Sequence, residues 1–456
     1  MTKIRNKGIL IFLIFLIIII LFAIFSTKLL FHDSFQYITV AKEYAGISNS
    51  NVYTGHSTLY PFILAQFLKV FPSFIIIKIV NVIWLILITL LIYIFTKSKK
   101  TLLLWVFSPL LWYTSIQTSP ILPASFFLIF SYFMLKKWSK FNQKKYFIFS
   151  SLLMGIAISI WSGALFFSLF LIFAFFYDKM LWNILVYFLF LLPGLFLGFI
   201  LDYIYFGFPF YSYIRIFGAA STILIGLNYG GDISLRLEAL LSLIIISPLL
   251  FFIYKINFKN YKRETIFIVL SVVFLFVYQF LLKYLLFISP LIIIMLATIL
   301  DKKRVFLHCL ISLVLIILLT YSYFGENRDT YMMNDLKSIK EDFGFTEIIS
   351  GRMNNGGIGA SDLNTLYWGN DLWIYSGDDY YNYLNNKTIT SEYSLVIKPK
   401  IKDISKSLTI KSTLEMDDMQ DFDDLPVVSN DNIESVPSDY ELIKCYKILC
   451  VYEKTF

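Results

Sequence analysis

A lone carboxylate stands where an apolar run ends. Residues 31–46 read FHDSFQYITVAKEYAG and follow directly on an almost wholly apolar N-terminal stretch. Asp33 sits at that edge with His32 beside it, and Gln36, Lys42 and Glu43 follow. Two roles fit the spacing. Asp is a favoured N-cap, and Gln36 falls at N3, close to a capping box. A carboxylate at an apolar–aqueous boundary is also placed to accept a proton from a hydroxyl that attacks there.

Other polar groups fall at the same kind of boundary. The stretch GHSTLYP follows in the same loop and carries His56 and Tyr60. His56 and His32 read as hydrogen-bonding surface residues, with substrate contact as the sharper alternative. Asp202 ends an apolar run next to YIYFGFP, where it can bind a sugar or pair with an arginine. GRMNNGGIGASDL, residues 351–363, fits neither the P-loop nor GxGxxG and reads as a Gly-rich turn rather than a phosphate cradle. Cys309 is isolated, whereas Cys445 and Cys450 flank YKIL. There is no CxxC, so no zinc site is expected. An antiparallel hairpin there sets Cys445 opposite Cys450 at disulfide distance.

These groups need a scaffold, and composition says which kind. The 456 residues are 58% hydrophobic and 19% aromatic, with only 15% charged. Soluble domains carry roughly 25% charged residues, so the chain reads as a membrane protein. Residues up to Tyr323 hold 26 basic and 8 acidic groups, whereas those from Phe324 hold 13 and 23. The lysines are scattered among apolar runs rather than gathered in a patch, which argues against nucleic acid.

Apolar runs predict eleven spans, at 9–26, 75–96, 101–118, 121–135, 146–160, 162–177, 184–204, 238–254, 265–282, 285–300 and 305–323. With the N-terminus in the cytoplasm, the N-terminal tail and cytoplasmic loops hold 19 Lys and Arg. Only seven lie elsewhere before Tyr323: Lys28, Lys42, Lys69, Lys78, Arg215, Arg236 and Lys283. The positive-inside rule thus puts residues 324–456 outside the cytosol.

The first outer loop, 27–74, alternates at helical spacing over DSFQYITVAKEYA, which predicts an interfacial amphipathic helix. TLYPFILAQFLKVF is apolar but short for a span and predicts a second surface helix. In the tail, TEIISG, DLWIYSG and SEYSLVIK read as strands, SDLNTLYW and DDYYNYLNN as helices, and YELIKCYKILCVYEK as a hairpin. LEMDDMQDFDDLP reads as a solvated acidic loop. The expected fold is a mainly α polytopic membrane protein with about eleven transmembrane helices, residues 1–323, and a small extracytoplasmic α/β domain, residues 324–456.

HDSFQYITVAKEYAG followed by GHSTLYPFILA resembles the first outer loop of GT-C superfamily glycosyltransferases. Protein mannosyltransferases and aminoarabinose transferases belong to this group. LDYIYFGFPFYSYI, residues 201–214, is similar to an outer segment of that family, and LKYLLFISPLIII, residues 282–294, to its basic-Tyr pair before a late span. The resemblance implies that Asp33 is the catalytic base and that Lys283 binds the donor phosphate, with Arg215 and Arg236 as further phosphate partners. It implies substrate contacts for His56, Tyr60, Asp202 and Tyr284. The donor would be a polyprenyl-phosphate-linked sugar, and the acceptor a lipid, glycan or protein hydroxyl within cell-envelope glycosylation. Membrane lipids are the other expected partners; nucleic acid is not.

The chain departs from the family at two points. Ser34 stands where many relatives carry Glu after the Asp, and YTSIQTSPILP, residues 113–123, lacks their second acid. No cofactor is expected, and a divalent metal has no acidic cluster to hold it. One base suffices for the chemistry, because phosphate leaves as a stable anion and needs positive charge rather than a general acid. The alternatives are a polyprenyl-diphosphate-glycan ligase or polymerase, and a lipid-linked sugar transporter or flippase. A transporter usually keeps ionisable groups inside its spans, and here they gather at the ends.

Overall fold

The computed structural model describes residues 2–30, 34–47, 57–177, 181–214, 217, 242–277, 282–343, 347–350, 366, 368, 373–376, 395–399, 440–447 and 449–454. The chain forms two compact units. One comprises Met1–Ile24, Gly55–Tyr60 and Lys78–Tyr321; the other comprises Phe25–Thr54, Pro61–Ile77 and Ser322–Phe456.

The helices begin with α1 (Thr2–Phe25), α2 (Ser34–Ala45), α3 (Leu59–Leu68) and α4 (Phe74–Thr96). Next come α5 (Lys99–Val106), α6 (Pro109–Thr114), α7 (Ile121–Phe141), α8 (Lys144–Ile160), α9 (Ala164–Phe176) and α10 (Leu181–Phe206). Then follow α11 (Lys262–Val277), α12 (Ser289–Ile299), α13 (Lys302–Thr320) and α14 (Arg328–Phe343). Among the described residues, α4, α7, α13 and Trp182–Phe206 of α10 are each long and apolar enough to cross a membrane. Shorter apolar helices include Ala164–Phe176 and Ser289–Ile299.

Prolines account for the places where an expected span is not one helix. The run 101–118 is split into α5 and α6, with Ser108 between them and Pro109 opening the second helix. Proline has no N–H to continue the ladder, and it suits a first turn. Likewise 238–254 contains two 3-10 turns, Ser242–Ile245 and Leu250–Lys255, on either side of Pro248. The run 285–300 begins in the 3-10 turn Leu282–Phe287 and becomes α12 only at Ser289-Pro290.

Small residues let α8 and α10 touch backbone to backbone. A Cβ at Gly155 would stand 2.3 Å from the Leu191 carbonyl oxygen, and one at Gly194 only 2.5 Å from that of Leu152. Hydroxyls add to this contact, as is common where lipid replaces water as the solvent. Ser150 Oγ lies 2.8 Å from both Ser131 Oγ of α7 and the Tyr187 hydroxyl of α10.

In the second unit the strands β1 (Glu347–Ser350), β2 (Trp373–Ser376), β3 (Leu395–Pro399), β4 (Tyr440–Cys445) and β5 (Leu449–Lys454) form one sheet in the order β2-β1-β3-β5-β4. β1 pairs parallel with β2 and β3, whereas β3, β5 and β4 run antiparallel. All five expected strands are therefore present. The register sets Cys445 opposite Cys450, and the two form a disulfide, as the hairpin spacing predicts.

Helix α14 was not foreseen. Its Met332, Leu336 and Ile339 are buried at helical spacing, and Asp335 accepts hydrogen bonds from the N–H groups of Lys447 and Leu449 in the hairpin turn. At its start, Asp329 Oδ2 accepts the N–H groups of Leu29 and Leu30 at 2.8 and 2.7 Å. The Gly-rich turn at 351–363, the acidic loop, the expected helix DDYYNYLNN and nearly all of SDLNTLYW lie outside the described residues.

Candidate active site

Ser57, Thr58 and Tyr60 all belong to the GHSTLYP stretch, and each is fastened to a different part of the helical unit. The Thr58 hydroxyl donates to Asp202 Oδ1 at 2.8 Å. Ser57 Oγ accepts the Ser162 N–H, just before α9, at 2.8 Å. The Tyr60 hydroxyl donates to Asn81 Oδ1 of α4 at 3.2 Å and also hydrogen-bonds the Ser119 backbone. Helix α3 starts at Leu59, so these three residues form its entry turn.

Asp202 lies one turn from the end of α10 and is buried. Besides Thr58, it accepts the Ser212 N–H at 2.9 Å and the Ser212 hydroxyl at 2.8 Å. Three neutral donors thus hold one buried carboxylate. The geometry joins LDYIYFGFPFYSYI to GHSTLYP, two stretches 144 residues apart at the hydrogen bond.

Lys283 and Tyr284 sit in the 3-10 turn before α12, and both side chains are buried. Tyr284 stacks on Trp161 with ring centres 5.1 Å apart, and Phe287 stacks on the same indole at 5.3 Å. Lys283 Nζ stands 5.8 Å from the Tyr284 ring centre. Trp161 directly precedes Ser162, which binds Ser57. The aromatic stack therefore connects the Lys283 turn to the GHSTLYP turn within the same unit.

Sequence reasoning passed over Lys78 as one of seven basic groups scattered through the outer segments and spans. It is buried, at 6% exposure, on α4. Asn81 follows three residues later and is also buried, with its Nδ2 lacking a hydrogen-bond partner among the described groups. The signal was present in IIIKIVNVIW, because two polar residues three apart in an apolar helix share a face.

In the second unit, α2 is described from Ser34 to Ala45. Asp33 itself lies outside the described residues, as do His32, His56, Arg215 and Arg236. Further along α2, Lys42 is buried with its Nζ 5.0 Å from the Trp368 ring centre. Burial lowers its ammonium to about 7, because desolvation disfavours the charged form.

No family model matches the sequence, and no curated protein matches it. Among solved structures the chain is similar to ArnT from Cupriavidus metallidurans, which was solved bound to undecaprenyl phosphate. The identity is 10%, the TM-score 0.65, and the match covers 98% of this chain and 98% of that one. Over nearly its whole length, then, the chain shares the polytopic membrane fold of that protein.

Proposed function

We propose that the protein is an inverting glycosyltransferase. It transfers a sugar from a polyprenyl-phosphate donor to an acceptor hydroxyl at the outer face of the membrane, with the N-terminus cytoplasmic and residues 324–456 extracytoplasmic. The observation that carries this reading is the fold shared end to end with a protein that holds undecaprenyl phosphate. The order of the sequence patches supports it independently.

In this mechanism Asp33 takes the proton of the acceptor hydroxyl as that oxygen attacks the anomeric carbon. The bond to the donor phosphate breaks, and the polyprenyl phosphate leaves as an anion. Lys283 contributes positive charge to that anion, and Tyr284, stacked on Trp161, fixes the turn that presents it. Tyr60 serves as a substrate contact, and Asp202 acts as a positioning residue that holds the GHSTLYP turn through Thr58. Arg215, Arg236 and His56 add contacts to phosphate or sugar. A buried lysine in a membrane protein marks a functional position more often than a structural one.

Two substitutions test the roles separately. Asp33→Asn keeps shape and capping ability, since Asn caps about as well as Asp. It should insert normally and bind the donor, yet lose roughly 10²- to 10⁴-fold in transfer rate. Lys283→Ala should weaken donor binding as well as turnover, by about 10- to 100-fold in affinity. Near-normal transfer by Asp33→Asn, measured against an active parent protein, would return that residue to the role of a helix cap.

A further inference from the structure

A concave site lies in the helical unit, lined by none of the candidate-site residues described above. Its cavity of about 420 Å³ is set among α4, α5, α7 and α12. That volume falls within the roughly 300–1,000 Å³ usual for small-ligand sites. Three lysines of α7 line it, Lys136, Lys137 and Lys140, together with the hydroxyl residues Ser98 and Thr101 of the α5 entry turn. Thr96 and Thr298 also line it, and the apolar part of the wall includes Phe133, Ile294 and Ala297.

The lysines are not equivalent. Lys136 is committed, because its Nζ lies 2.8 Å from Glu264 Oε1 and 3.0 Å from the Tyr132 hydroxyl. Lys137 and Lys140 have no carboxylate partner among the described residues. Lys137 Nζ instead lies 4.8 Å from the Phe95 ring centre and 5.3 Å from that of Tyr146, and Lys140 Nζ lies 5.1 Å from Phe141. These two lysines are three residues apart on one helix face, so their charges repel unless an anion stands between them. Ser98 accepts the Thr101 N–H at 3.2 Å and caps α5, whose first turn adds partial positive charge at the rim.

Charge and wall chemistry together select the occupant. A free inorganic anion would match the lysines and leave the apolar wall unused. An anionic phospholipid uses both. Phe141, in the cavity wall, is 51% exposed, so the apolar wall reaches the outward surface. The α4 and α7 helices are long and apolar enough to cross a membrane, and the cavity lies at the C-terminal ends of both, where α7 carries its lysines. Basic pockets between spans at a membrane surface hold lipid headgroups by this combination.

We propose that this cavity binds the phosphodiester headgroup of an anionic bilayer phospholipid through Lys137 and Lys140, with the start of its acyl chains against the apolar wall. The site is separate from the donor site and needs no sugar on its ligand.

Native mass spectrometry of the full-length, delipidated protein tests this by titration with phosphatidylglycerol and with phosphatidylcholine of the same acyl chains. Phosphatidylglycerol should bind about tenfold more tightly or better. The Lys137→Gln/Lys140→Gln double variant should lose most of that preference. Ala297→Phe fills the cavity with both charges intact, and it should weaken phosphatidylglycerol binding to a similar degree. Glycerol 3-phosphate should not compete. Equal affinity for the two lipids would overturn the proposal, as would a preference retained in whichever variants keep the parent's thermal unfolding profile. Competition by glycerol 3-phosphate as strong as that of the lipid would overturn the phospholipid assignment.

Discussion

Lys42 shows how burial sets the chemistry of a single residue in this protein. It lies on the helix that Asp33 would cap, it is 1% exposed, and burial holds its ammonium at about 7 against an ordinary 10.5. The unfolded chain binds the proton more tightly than the folded one, so stability rises with pH wherever the two differ. The window runs from about 7 to 10.5. Below it both states are protonated and the full cost of burying the charge is felt; above it both are neutral and the cost is gone. Thermal unfolding followed between pH 7 and 10 should therefore show midpoints rising with pH. Lys42→Met should flatten that rise, because it keeps the apolar stem and removes the titrating group. An unchanged slope in the variant would mean that another group sets it. Asp202 is a buried carboxylate, held by three hydrogen-bond donors.

Among the elements, the contact between α8 and α10 is the least forgiving. Gly155 and Gly194 face each other with their Cα atoms so close that a Cβ on either meets backbone, not a movable side chain. Gly155→Leu should therefore separate the helices. Overpacking alone costs about 1–3 kcal/mol, and here the Ser131–Ser150–Tyr187 hydroxyl contacts would be strained as well. The expected outcome is lower yield and a lower unfolding midpoint in detergent. Element types were readable from periodicity and length: α2, α3, the five strands and most apolar helices follow from them. What was missed had weaker signals. Helix α14 is mostly polar, and only Met332, Leu336 and Ile339 mark its buried face. The breaks at Pro109 and Pro248 were absorbed into long apolar runs, because hydropathy alone does not register a missing N–H. At the candidate site, Lys283, Tyr284, Tyr60 and Asp202 were found through short patches, but their links through Thr58, Ser162 and Trp161 depend on contacts between distant stretches. No local pattern encodes such contacts.

For the molecule as a whole, the uneven distribution of charge makes a topological claim. Nineteen Lys and Arg fall in the N-terminal tail and the loops assigned to the cytoplasm, and the tail from Phe324 carries 23 acidic residues. A reporter fused after Phe456 should be active only in the outer compartment. Cytosolic activity would move the sheet unit to the other side and remove the basis for an outer-face reaction. The Cys445–Cys450 disulfide is consistent with an oxidising compartment for that unit.

The central claim is sugar transfer from a polyprenyl-phosphate carrier, and it is tested most directly by following the donor. Purified protein in lipid would be incubated with a panel of polyprenyl-phosphate sugars and a crude envelope fraction as acceptor, with mass spectrometry reading both carrier and product. The account predicts that one donor is consumed, that free polyprenyl phosphate appears in equal amount, and that the new glycoside has the opposite anomeric configuration. Lys283→Ala should slow that release. Donors that cross the bilayer intact, with no polyprenyl phosphate released from any member of the panel, would contradict it and favour a transporter.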